Sequence, residues 1–323
     1  MKAWRKIAAG VLCAFAAGAA QAQAYPNKPV RVIVPYAAGG AADITARVLM
    51  QKMGENMGVS FVVDNHGGAN GGIGTDMVAK AAPDGYTLLV DASGPLVVNP
   101  VLYSKVPYDV VKDLAPISLL ASYQYVLVVR SDSPIASLND LIARAKAQPG
   151  SLSYGSTGVG GGNHLAGEML ALLTGTRMTH VPYKGSSLAL ADLLGGQLSF
   201  MFDTIVTSAP HIKTGKVRAF AVSSSKRSSS LPQVPTMAEA GVKGFDIGQF
   251  QGLLAPAKTD PAIIARLREE AVKALKDPAV AKRLGPDGGN EIIGSTPEEF
   301  AKQIKSELAM YGKLIKDANI KAE

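Results

Sequence analysis

Residues 30–58 read VRVIVPYAAGGAADITARVLMQKMGENMG, and three successive textures in this stretch decide the fold. Val30 to Tyr36 is an apolar run with β-branched residues, the kind a strand buried on both faces carries. Gly39 and Gly40 follow and permit a sharp turn. Beyond them Ile44, Val48, Leu49 and Met53 fall on one face of a helix. Strand, glycine loop and helix in that order make a βα unit.

The same texture recurs outward from it. FVVDN (Phe61 to Asn65) reads as a strand, HGGANGGIG as a loop, Asp76 to Ala82 as a helix and YTLLVDAS (Tyr86 to Ser93) as the next strand. A second series starts at YVLVVR (Tyr125 to Arg130), passes a helix near Leu138 to Ala147 and reaches LSYGS. Further strands are expected at THVPY (Thr179 to Tyr183), LSFMFD (Leu198 to Asp203) and VRAFAVS (Val217 to Ser223). Strands alternating with helices predict parallel α/β sheets. From about Asp260 the chain reads as outer-layer helices, and Pro297, Glu298 and Glu299 suit a helix N-terminus. SSSKRSSS (Ser223 to Ser230) reads as a solvated loop.

The first residues belong to a different kind of segment. A basic start (Lys2, Arg5, Lys6), an apolar run from Ile7 to Ala20 and small residues around Gln21 and Gln23 read as a signal peptide over residues 1–24, cleaved after Ala22 or Ala24. The run is shorter than the roughly 20 residues a spanning helix needs, and no later segment is long and apolar enough. The single cysteine, Cys13, lies inside it, so the exported chain has neither a disulfide nor a thiolate metal site. About 299 residues remain from Tyr25, enough for two domains. Without the three leader cations the formal charge falls from +7 to about +4, with basic residues scattered and not clustered as nucleic-acid binding requires.

Phosphate and nucleophile motifs fail on spacing. No glycine is followed after four residues by Gly-Lys-Ser/Thr. A dinucleotide pattern begun at Gly158 and Gly160 would need its third glycine at Asn163. Gly155-Ser156-Thr157-Gly158 puts the serine directly after the glycine, which is not a nucleophile elbow, although His164 with Asp43 or Asp203 would complete a triad if they met Ser156 in space. His66, His164, His180 and His211 show no paired metal spacing.

Glycines ahead of a helix also do something simpler. The first amides of a helix lack internal partners and carry partial positive charge, so they hold an anion with no lysine or arginine. Two stretches suit this: Tyr36-Ala37-Ala38-Gly39-Gly40 before a helix from about Ala41, and Ser156 to Gly162 before a helix from about Asn163. At the carboxyl ends of strands in two domains, they would face each other across a cleft. The alternative reading is that the glycines only permit tight strand-to-helix packing.

YPNKPVRVIVPYAAGGAADITAR at the start of the exported chain resembles the tripartite tricarboxylate transporter solute receptors, the Bug family. Four blocks agree in order: NHGGANGGIGTDMVAKAAPDGYTLLV, STGVGGGNHLAGEML, HVPYKGSSLALADLLGGQLSFMFD, and LPQVPTMAEAG with GLLAPA. The resemblance implies an α/β protein of periplasmic-binding-protein type II, two α/β domains joined by a hinge with the ligand cleft between them. Residues 25–124 with 248–323 would form domain I and 125–247 domain II, with crossovers near Ser122 to Tyr125 and Gly244 to Gly248. It implies a periplasmic receptor of a Gram-negative bacterium, a monomer and not an enzyme. The receptor would need no cofactor or metal and would bind no nucleic acid. It would pass a small organic mono- or dicarboxylate to a membrane permease of one large and one small subunit.

Carried over by position, the ligand residues would be Tyr36, Ala37, Ala38, Gly39, Gly40 and Ala41, with Asp43 capping the helix. From the second domain would come Ser156, Thr157, Gly158, Val159, Gly160, Gly162 and His164, and from other strand ends Ser93, Asp203 and Thr204. Ala42 and Gly161 stand where the family often has hydroxyl residues, and Phe250 where tryptophan is common. A sensory receptor presenting its ligand to a membrane signalling protein, or a periplasmic hydrolase, are the alternatives.

Overall fold

The computed structural model describes residues 25–317; the expected signal peptide lies outside them. β1 (Val30–Val34) is buried at every position but Arg31, and α1 (Ala41–Met57) closes on Gly58 in the left-handed region, φ 69°. β2 (Phe61–Asn65) pairs with β1 in parallel. α2 (Gly72–Ala79) begins four residues before the expected Asp76. Its glycines are packing residues: a Cβ on Gly74 would lie 2.8 Å from Pro35 Cβ. β3 (Thr87–Ala92) completes the parallel trio on the other side of β1. After Ser93 the chain makes a π-helical turn, Gly94–Val98, and a one-turn helix, Asn99–Leu102.

β4 (Leu114–Arg130) is 17 residues long, where the sequence suggested only Tyr125 to Arg130. There follow α3 (Leu138–Ala147), β5 (Ser153–Ser156), α4 (Gly162–Thr174), β6 (Thr179–Pro182), α5 (Ser186–Leu194), β7 (Phe200–Thr204), α6 (Ile205–Lys213) and β8 (Val217–Val222). β9 (Gly248–Pro256), α7 (Pro261–Leu275), α8 (Pro278–Leu284), β10 (Asn290–Ile292) and α9 (Pro297–Asp317) end the described chain.

The strands run β2-β1-β3-β9-β4-β7-β5-β6, with β8 and β10 also on β4. The early half of β4 pairs with β9 and β10, and the later half with β7 and β8. A first lobe around β1–β3 and a second around β5–β8 therefore share one strand. The expected parallel strands are present in both lobes, β1 with β2 and β3 and β5 with β6 and β7, but antiparallel strands join them. β9 is antiparallel to both β3 and β4, and β4 is antiparallel to β7 and β8. β4 and β9 carry the chain between lobes in opposite directions, so each enters the sheets against the parallel strands. Val32, Leu49, Met53, Leu88 and Leu267 fill the first lobe, and Val126, Leu193, Met201 and Val222 one face of the second. At about 25 cal/mol per Å² of apolar surface these buried side chains are the main term holding each lobe together.

Candidate ligand-binding site

The carboxyl end of β1 delivers Tyr36 to Gly40, and α1 starts at Ala41 with Gly40 as an N-cap that has no side-chain partner for the helix amides. Asp43, in the first turn, reaches back instead. Its Oδ2 accepts from the Gly39 amide at 2.9 Å and from Arg47 Nε at 2.9 Å, and its Oδ1 accepts from Asn65 Nδ2 at 3.0 Å. Asn65 Nδ2 also donates to the Tyr36 carbonyl. Burial pushes the Asp43 carboxyl up, but Arg47, the Gly39 amide and Asn65 outweigh it and hold it below the ordinary carboxylate value. Gly39 needs its φ of 78°, which strains other residues.

The turn before α5 faces this loop from the second lobe. Ala37 N–H donates to the Lys184 carbonyl at 3.0 Å, and Ser187 Oγ donates to the Ala38 carbonyl at 2.8 Å. A Cβ on Gly185 would lie 2.8 Å from the Ala37 amide nitrogen. The N-termini of α1 and α5 are thus brought together with neither end capped by a side chain.

The glycine-rich loop after β5 is built differently. Thr157 N–H donates to Asn163 Oδ1 at 3.0 Å, Gly158 N–H to Ser156 Oγ at 3.0 Å, Gly160 N–H to His164 Nδ1 at 3.2 Å and Gly161 N–H to the Gly158 carbonyl at 3.0 Å. Most of the loop's amides are therefore engaged within the loop. The donors that helix geometry leaves over are those of the first turn of α4, which starts at Gly162, one residue before the expected Asn163.

The imidazole partner of Ser156 is not His164, which accepts from Gly160, but His180 of β6, with Nε2 2.5 Å from Ser156 Oγ. Ser156 Oγ already accepts from Gly158 N–H and donates to the Gly158 carbonyl at 3.1 Å, so His180 is assigned the Nε2–H tautomer, leaving Nδ1 as a buried lone pair without a partner. The two imidazoles lie 4.2 Å apart between centroids. Burial pushes both down to about 4, and His164 lowers His180 further against the opposing pull of Glu168. The pair is held neutral by burial, and among the described residues no carboxylate is hydrogen-bonded to either ring as a triad's would be. Asp43 is tied to α1, and Asp203 Oδ2 accepts from Thr207 and Ser208 at 2.6 Å each.

Across the glycine-rich loop stand Asn70 and Asn99 of the first lobe. Asn70 has a φ of 46°, and its Nδ2 donates to Asn99 Oδ1 at 2.9 Å. A Cβ on Gly158 would lie 3.2 Å from Asn70 Cα, and one on Gly160 2.8 Å from Leu102 Cδ2. Tyr103 OH donates to the Val159 carbonyl at 2.8 Å. Ser93 Oγ donates to Gln249 Oε1, and a Cβ on Gly162 would lie 2.4 Å from Gln249 Cδ and from Tyr125 OH. Ser93 and Gly162 thus meet at Gln249.

Asp203 and Thr204 stand apart, at the start of α6. Burial pushes Asp203 up to about 6 against Ser208, Thr207 and the Thr204 amide, and its Oδ1 has no hydrogen-bond partner. An open groove of about 1330 Å³ also borders Gln249, lined by Tyr123, Leu165, Met169, Phe250 and Tyr311, but none of the expected ligand residues lines it. Sequence reasoning missed Lys184 to Ser187, Asn70, Asn99, Tyr103, His180 and Gln249. For the first of these a signal existed: KGSS precedes LALADLL as a third strand, glycine and helix junction. Among the described residues no cluster of three or more His, Cys, Asp or Glu could hold a metal ion, and no helix is long and apolar enough to cross a membrane.

Residues 45–320 match the tripartite tricarboxylate transporter family receptor model. The structure of the periplasmic binding protein BugD superposes with a TM-score of 0.89 at 35% identity, over 93% of this chain and 100% of that one. MatC from Rhodopseudomonas palustris with bound malate gives 0.86 at 32% identity, over 90% and 100%. Rpa4515 from R. palustris with adipate gives 0.87 at 33% identity, over 91% and 98%. The fold is that of the periplasmic binding proteins.

Proposed function

Since the chain belongs to the tripartite tricarboxylate transporter receptor family, we propose that it is a periplasmic solute receptor for a small organic mono- or dicarboxylate, which it delivers to a tripartite tricarboxylate-type membrane permease. The observation that carries this reading is the apposition of the α1 and α5 N-termini, joined through Ala37, Lys184, Ala38 and Ser187. Two helix ends with unpartnered first-turn amides favour negative charge, and a carboxylate supplies it without a basic side chain.

In this reading one carboxylate sits near Ala38 to Ala41, and the other end of the ligand lies toward Ser156 to Gly162, with Ser93 beside it. The malate and adipate of MatC and Rpa4515 support the chemical class. Residues 25–124 with 248–323 and residues 125–247 act as two bodies that close by bending within β4 near Ser122 to Tyr125 and ahead of β9 near Gly244 to Gly248. The leader at residues 1–24 supports export to the periplasm. No bond is made or broken.

Titration calorimetry of ligand-stripped protein beginning at Tyr25, against C3 to C8 mono- and dicarboxylates, tests the reading. Saturable binding of at least one acid is expected. Heat no larger than dilution across the whole panel overturns it.

A further inference from the structure

Both ligand loops contain the same construction. In each, the peptide preceding a left-handed glycine has its amide held inside its own lobe and its carbonyl given to the other lobe. In the first loop, Gly39 N–H donates to Asp43, while the Ala38 carbonyl accepts from Ser187 of the second lobe. In the second, Gly160 N–H donates to His164, while the Val159 carbonyl accepts from Tyr103 of the first lobe. The glycines have φ of 78° and 83°, the conformation that turns each carbonyl outward. Each lobe thus supplies one hydroxyl to the other's loop.

From this reciprocity we infer that Ser187 and Tyr103 are latch residues. Their hydroxyls hold the two lobes closed, and so set how long a solute stays and not which solute enters. The inference rests on the reading that the cleft opens and closes around a solute. Each hydroxyl bonds across the lobes and not within its own: Ser187 reaches a residue 149 positions away, and Tyr103 one 56 away. Opening returns both donors and both carbonyls to water, so each bond contributes only the small net worth of a neutral hydrogen bond. That corresponds to roughly a five-fold shift in the open-to-closed ratio. Ala37 N–H to Lys184 O, beside the first latch, is the natural reporter because it too breaks on opening.

Hydrogen exchange of the Ala37 amide, followed by NMR on the ligand-free protein from Tyr25, tests the latch in the parent, Ser187→Ala, Tyr103→Phe and the double variant. Exchange is expected to quicken about five-fold in each single variant and about 25-fold in the double, since well-separated effects add. Amides of β1 should not change, which separates opening from a loss of stability. Tyr103→Phe is the critical arm. It acts at a different contact, so its effect on Ala37 reports closure of the whole cleft and not local loosening beside Ser187. An Ala37 amide unprotected in the parent, or exchange unaltered by Tyr103→Phe, overturns the inference. Failure of the carboxylate reading shows only in calorimetry, because no ligand enters this measurement.

Discussion

The PYAAGG turn and the glycine-rich loop are both strand-to-helix junctions, yet they are held by opposite chemistries. The first is organised by a carboxylate: Asp43, 4% exposed in its side chain, gathers Gly39, Asn65 and a half-exposed Arg47. The second is organised by neutral acceptors, Ser156, Asn163 and a His164 kept uncharged by burial. Two glycine-led helix ends can therefore differ in what disrupts them. A charged organiser answers to the loss of its carboxylate, and a neutral one to packing and to acid.

Replacing a glycine at each helix start, the N-cap Gly40 of α1 and the first helical residue Gly162 of α4, breaks the comparison most sharply. Gly162→Ala places a methyl 2.4 Å from Gln249 and Tyr125, whereas Gly40→Ala meets nothing closer than Ser186 Oγ at 3.2 Å. Urea denaturation should show Gly162→Ala to cost ~1–3 kcal/mol by overpacking and Gly40→Ala less. Equal losses would remove the packing distinction.

Removing the charged organiser comes next. Asp43→Ala leaves the Gly39 amide without its acceptor and takes from Asn65 Nδ2 one of its two, the Tyr36 carbonyl remaining, for an expected loss of ~1–2 kcal/mol on urea denaturation. The exchange of the Gly39 amide should rise while that of Gly160 stays unchanged. A rise at both would show that the loops are not independent.

Acid should separate them in the reverse sense. His164 has a folded value of about 4 against an ordinary 6.5, so between those limits the unfolded chain binds a proton that the folded loop refuses. Its contribution is complete above 6.5 and is lost as pH falls toward 4. Asp43, held below 3.8, keeps its contribution until pH falls further. Global stability is a poor readout, because burial pushes Asp91 up to about 8 and Asp203 up to about 6, and these acids favour the folded state as pH falls. NMR of the His164 ring with protection of Gly160 is the sharper measurement. A His164 midpoint near 6.5 would refute the neutral lock.

The smallest effect belongs to the exposed partner. Arg47→Ala should cost under ~1 kcal/mol, and the cost should shrink with added salt, as for a surface ion pair. Thermal midpoints at low and high ionic strength check this. A salt-independent loss would mean that Arg47 acts through Asn65, to which Nη2 donates at 3.0 Å, more than through charge.

Which of these features the sequence discloses follows from how local they are. The β1 to α1 junction is legible because the apolar run, the glycines and the helical face are contiguous, and the helix begins at Ala41 as expected. β4 is legible only in its second half. Pro116, Ser118 and Ser122 interrupt the apolar pattern, and the strand partners of this half come from far away in sequence, β9 and β10. Periodicity, read within a short window, cannot see such partners. The glycine-rich loop is legible as a junction, but its internal bonding is not. The partner of Ser156 is His180, which reaches it from the neighbouring strand, while the adjacent His164 serves Gly160. KGSS marks Ser187 only as part of a junction and Tyr103 carries no local mark, since the pairing of each with the other lobe arises only when the two lobes touch.

Gln249 is a piece of wiring. One end of its amide receives the Ser93 hydroxyl, and the other donates at 3.2 Å to the hydroxyl of Tyr311, only six residues from the last described position. The end of α9 is thereby braced, through Gln249 of β9, against Ser93 after β3. Where a protein of this kind is trimmed, tagged or fused near the end of α9, the choice is therefore not neutral for the packing around Ser93. A cut ahead of Tyr311 would free Gln249 beside Ser93 and slacken the receptor from a distance, with every ligand loop left intact.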